Sequence, residues 1–135
     1  MHQQMIFVNL AVHDLDASKK FFSALGFRTD DQFSDDTTAA LPLSDTINVM
    51  LHTHQKYAEF TKKQIVDSKT SSEVLLALSA PSRQGVDDLL DKAIAAGGSP
   101  TGEPQDHGFM YGRAFDDLDG HTWEVMWMDP TAAQG

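Results

Sequence analysis

"FDDLDGHTWEVMWMD", residues 115–129, is the stretch on which the reading of the chain turns. Its Asp119-Gly120 pair is a hairpin-turn signal, and the run from His121 to Met128 is rich in strand formers. Side chains on a strand alternate faces. Thr122, Glu124, Met126 and Met128 therefore point one way, and His121, Trp123, Val125 and Trp127 the other. Glu124 shares its face with two thioethers, where a charge is costly unless it meets a partner, water or a metal. Arg113, on the preceding strand of the hairpin, is the partner that would make Glu124 a structural residue. A pocket holding a ligand is the functional alternative.

Outward from this hairpin the chain repeats an order of elements. "IFVNLAV" (6–12) is a strand, and "HDLDASKKFFSALGF" (13–27) has a helical stripe of Leu15, Phe21, Phe22 and Leu25. Asp14 or Asp16 caps its start and Gly26 its end. Short strands follow at about 27–33, 38–43 and 46–53, then a short amphipathic helix over 54–63. The second half begins with a strand at 73–80, and a helix over 82–98 carries Val86, Leu89, Leu90, Ala93 and Ile94, with Ser82 as N-cap and Gly97 as stop. A strand near 99–103 and the hairpin strands 108–117 and 121–128 complete it. Each half thus reads strand, helix, then about three strands. The expected fold class is α+β. Two βαβββ modules, about 5–60 and 72–129 of a single 1–135 domain, form a curved mixed sheet around a cavity.

Composition limits what such a fold could serve. The 135 residues carry twenty acidic against ten basic side chains, a net charge of −10 that repels phosphate backbones and anionic lipid. Nucleic acid and membranes are not expected partners, and no apolar run approaches a bilayer-spanning length. Without cysteine there is no disulfide, thiolate ligand or thiol nucleophile. The opening Met-His-Gln-Gln-Met lacks a basic region followed by an apolar stretch, so a cytoplasmic protein is expected. There is no G-x-S-x-G elbow, no Gly-rich phosphate loop and no H-E-x-x-H. A small-molecule ligand is the expected partner, with a C2 homodimer as the default assembly.

"VNLAVHDLDASKKFFSALGF" (8–27) and "DDLDGHTWEVMWMD" (116–129) resemble the vicinal oxygen chelate superfamily of glyoxalases, bleomycin- and fosfomycin-resistance proteins and extradiol dioxygenases. The resemblance covers about residues 5–129 and is closest to bacterial proteins described as predicted lactoylglutathione lyases. It implies metal ligands on the first and last strands of each half. Glu124 falls on the closing Glu of that pattern and Glu73 on a His position, where it could ligate. The other two positions fall on Phe7, which cannot bind a metal, and Met50, a poor ligand for a hard or borderline ion. Asn9 shares a face with Phe7, His52 with Met50, and Tyr111 with Arg113. A shifted metal site of Glu124, Glu73 and His52 for Ni, Zn, Fe or Mn is conceivable, though no cofactor is firmly implied.

Three functions follow from these residues. One is a metal-dependent lactoylglutathione lyase-type enzyme, with Glu124 moving a proton beside a carbonyl. Another is a binding module that sequesters a ligand among Phe7, Asn9, Met50, His52, Glu73, Tyr111, Arg113 and Met126, with Glu124 as its charge. The last is a metal-free enzyme using Glu124 or Glu73 as a base. The apolar residues at two ligand positions favour the binding module. Each residue also has a plainer reading: Glu73 as an exposed strand entry, His52, His54, His13, His107 and His121 as solvated or structural, and Phe7, Met50 and Met126 as core.

Overall fold

Asp14 ends the first strand and starts the first helix. β1 (Ile6–Val12) turns at His13, and the Asp14 carboxylate accepts the Ala17 N–H at 3.0 Å, satisfying a donor that a helix start leaves open. α1 (Leu15–Ala24) buries Leu15, Phe21 and Phe22 together with Leu25 just beyond its end, and Gly26 carries the chain away at φ 101°. The computed structural model from which these details come describes residues 2–131, and the chain divides after Val66 into two compact units.

The expected strand at 27–33 does not form. Asp30 makes one antiparallel bridge to Ala40, and a 3-10 turn over Asp31–Phe33 follows. The Asp30 carboxylate accepts the Gln32 N–H at 3.0 Å, a local bond that draws the backbone out of a ladder and into a turn. β2 (Thr38–Pro42) and β3 (Ile47–Thr53) complete a three-stranded sheet in the order β1-β3-β2, with β1 parallel and β2 antiparallel to β3. The first unit is therefore βαββ plus a bridge. α2 (His54–Tyr57) is a single turn capped by Thr53, shorter than the helix expected to reach residue 63.

In the second unit the full module is present: β4 (Leu75–Ser79), α3 (Arg83–Ala95), β5 (Ser99–Asp106), β6 (Met110–Asp116) and β7 (Thr122–Met128), with sheet order β4-β7-β6-β5. β4 runs parallel to β7, and the remaining pairs are antiparallel. Ser82 caps α3 by accepting the Gly85 N–H at 2.9 Å. Val86, Leu90 and Ala93 of the helix are buried, as are Phe115, Trp123 and Val125 of the sheet; Ile94, expected on the apolar stripe, is exposed.

The β6–β7 connection is held from within. Asp117 accepts the N–H groups of Asp119 and His121 and the indole N–H of Trp123, each at 3.0 Å. Gly120 sits at φ 88°, and a Cβ on it would lie 2.8 Å from the backbone of Lys69 and Ser68, so both conformation and space demand glycine there. The expected α+β class of repeated strand–helix–strand modules is the architecture observed, as two small separate sheets. Among the described residues no helix is long and apolar enough to cross a membrane.

Candidate functional site

Each sheet has one face packed by its helix and one more open face, and the strand registers say which candidate lies where. In the first unit, Phe7 pairs with Asn48, Asn9 with Met50 and Ala11 with His52, while β2 adds Pro42, Ala40 and Thr38 beside the same three β3 residues. These three rows form the open face. Phe7 is 54% exposed at one end, whereas Ala11, His52 and Thr38 are buried at the other. Phe60 closes that end, its ring edge-on to His52 at 5.1 Å, with Tyr57 of α2 at 6.4 Å.

Among the described residues His52 is the only histidine within a strand, and both its ring nitrogens are engaged. Thr38 Oγ1 lies 2.8 Å from Nδ1, and Asn9 Oδ1 lies 2.7 Å from Nε2. Asn9 also donates through Nδ2 to the Phe7 carbonyl at 3.4 Å. That bond orients the amide so that Oδ1 accepts from His52 Nε2–H, leaving Nδ1 to accept from the Thr38 hydroxyl. Both bonds are met by the neutral ring. Burial lowers the His52 pKa first, and the Lys56 ammonium lowers it further, against the opposing pull of Asp35.

In the second unit the open face carries Thr122, Glu124, Met126 and Met128 of β7. Ala77 of β4 and Ala114 of β6 flank Glu124 on either side. The alternation expected for β7 is the one observed, with Trp123 and Val125 buried on the helix side and Glu124 half-buried on the other. Leu75 lies in register with Thr122 and is 59% exposed. Thr122 and Thr101 both donate to Asp116, at 2.6 and 3.1 Å. Glu73 precedes β4 in an exposed bend, outside the strand in which it was expected.

Tyr111 and Arg113 are on the opposite face from Glu124. Arg113 is in register with Val125, and Tyr111 with Trp127, so both turn toward α3. The Arg113–Glu124 pair that would have made Glu124 a structural residue does not form: Asp87 of α3 accepts from the Arg113 guanidinium at 3.0 Å and the Tyr111 hydroxyl at 2.7 Å. The Tyr111 bond is the main cause holding the Asp87 carboxyl below its ordinary range. Nearby, Arg83 lies over the rings of Tyr111 and Trp127 at 5.2 and 5.3 Å and makes a two-pronged bond to Asp106, whose pKa falls to about 2. Sequence reasoning missed this cluster. Its signal was spacing, since Arg83, Val86, Asp87 and Leu90 stand at i, i+3, i+4 and i+7 on one helix stripe.

The family model of the glyoxalase/bleomycin resistance protein/dioxygenase superfamily matches residues 4–125. The chain belongs to this superfamily. Among solved structures it is similar to a hypothetical protein, SA1046, from S. aureus, at 29% identity and TM-score 0.79, with 94% of each chain covered. It is also similar to a family enzyme from Burkholderia phytofirmans PsJN, at 19% identity and TM-score 0.75, covering 93% of this chain and 99% of that one. The fosfomycin resistance protein FosX from Mesorhizobium loti matches over the whole of both chains at 14% identity and TM-score 0.71. The last two likenesses speak for the fold alone. No curated protein matches the sequence.

Members of this superfamily commonly use a divalent metal, and the residues present here do not fit one. Of the positions that resemblance assigns to ligands, Phe7 has no donor, Met50 offers only a thioether, and Glu73 lies off its strand. The neighbouring imidazole of His52 has both nitrogens committed to Thr38 and Asn9. Among the described residues no three His, Asp or Glu side chains are gathered closely enough to hold an ion.

Proposed function

We propose that this superfamily member holds a small organic molecule on an open sheet face without a bound metal, as a binding protein. The observation that carries the reading is His52. Among the described residues it is the one imidazole on a strand, and it is spent on hydrogen bonds to Thr38 and Asn9 instead of being left open for an ion. Phe7 and Met50 support it further, because they give the face an apolar, adaptable lining suited to holding and not to Lewis-acid chemistry. Asn9 and Met50 line the open face of the first unit, with His52 bonded beneath them as a support, and Glu124 and Met126 line the open face of the second.

The test pairs binding with turnover. Conversion of the hemithioacetal of methylglyoxal and glutathione should stay at background with or without added Ni²⁺ or Zn²⁺, while a screen of small aromatic and amine compounds by melting-temperature shift finds stabilising ligands. Metal-stimulated turnover abolished in Glu124→Gln would instead establish the lactoylglutathione lyase-type reading.

A further inference from the structure

Glu124 is a half-buried carboxylate to which no hydrogen bond or ion pair is found among the described residues. Its surroundings are built to leave it so. The side chains beside it across the sheet are Ala77 and Ala114, too short to reach over it, and its neighbours along the strand are Thr122 and Met126. Thr122, the nearest hydroxyl in sequence on this face, is already donated to Asp116 at 2.6 Å. The four strands of this sheet carry one basic residue, Arg113, and it is turned to the other face and held by Asp87. The open face therefore presents an uncompensated negative charge flanked by two alanines. Apolar groups border it: Met126, exposed Met128 and exposed Leu75.

From this charge pattern we infer that the open face of the second sheet binds an organic cation, a protonated amine or quaternary ammonium on a hydrocarbon body, with Glu124 as its counter-ion. The inference rests on the binding-protein reading and gives it a ligand class. A partly desolvated carboxylate without a partner is unfavourable, and a cation that arrives with its own apolar surface offsets that while covering Leu75 and the thioethers. A small hydrated metal ion gains less here, because among the described residues no three His, Asp or Glu side chains gather to ligate it. Complementary charge also favours this occupant over an anionic or neutral one.

The experiment titrates the full chain with three probes of similar size: benzyltrimethylammonium, the uncharged N,N-dimethylbenzamide and the anionic phenylacetate. Binding is followed by calorimetry and by the methyl resonances of Met126 and Met128. The cation should bind at least about tenfold tighter than either other probe, shift both methyls and weaken as salt is raised. Glu124→Gln should cost about tenfold, whereas Asp91→Asn, the same charge change on the outer surface of α3, should leave affinity unchanged. Equal or tighter binding of the neutral or anionic probe overturns the ligand class but leaves the binding reading standing. Failure of the cation to bind at all overturns it as well. A change in sedimentation on Glu124→Gln would make the occupant a second copy of the chain and also contradict the inference. If no probe binds and Zn²⁺ binds at one ion per chain through Glu124, the binding reading itself fails.

Discussion

Asn9 Oδ1 lies 2.7 Å from His52 Nε2, joining two adjacent parallel strands through side chains 43 residues apart. With Thr38 on the opposite nitrogen, the contact fixes both the ring's tautomer and its orientation. An imidazole held in this way is a structural acceptor and donor.

The pH dependence of the first unit follows. The folded pKa of His52 is lowered from 6.5, so folding favours the neutral ring. The stabilisation is complete above the unfolded value and is lost as pH falls through the lower, folded one. Urea unfolding of the wild type should show stability declining, as pH falls below the ordinary histidine value, more steeply than in His52→Gln. Titration of His52 by NMR at or above the ordinary histidine value would contradict this.

Trp123 is the buried counterpart of Glu124 on the same strand, and its indole N–H donates to Asp117 at 3.0 Å. Burial pushes the Asp117 carboxyl above its ordinary range, against the pull of His121 and of its N–H donors. Trp123→Ala should cost about 3–5 kcal/mol in unfolding free energy. Trp123→Phe keeps most of the apolar area but removes the indole donor, and should cost about 1–3 kcal/mol. Denaturation midpoints measure both, and an undisturbed Trp123→Phe would show that the Asp117 bond contributes nothing net.

Glycine is required at Gly120 for two reasons and at Gly102 for one. Both have positive φ, but a Cβ at Gly102 meets nothing within 4 Å, while one at Gly120 runs into the backbone of Lys69. Gly102→Ala should therefore cost only the conformational penalty, about 1 kcal/mol. Gly120→Ala should cost clearly more and expose the 67–71 segment to proteolysis. Equal losses in the two variants would show that the segment yields freely.

Much of this fold was legible because its signals are local. Asp14 and Ser82 before apolar stripes, Gly26 and Gly97 after them, and strict alternation from Thr122 to Met128 mark elements without knowledge of the rest of the chain. The stretch from Phe27 to Phe33 misled because its residues suit a strand, while the Asp30 side chain closes a turn on its own backbone. The site was harder to read because it depends on register. Arg113 and Glu124 are both on the β6–β7 hairpin, and a shift of one residue decides whether they face each other or opposite sides of the sheet. The joining of Asn9, His52 and Thr38 likewise depends on which residues of three strands stand abreast, and no periodicity in the sequence encodes that.

The proposed binding role needs no resident metal, because Phe7 and Met50, at two of the family's ligand positions, are not donors for a hard or borderline ion. Elemental analysis of protein purified without an affinity tag or chelator tests this most directly. Well under one equivalent of Ni, Zn, Fe, Mn or Co per chain is expected, at the same level in wild type and Glu124→Gln. Close to one tightly bound ion per chain, lost on Glu124→Gln, would contradict it.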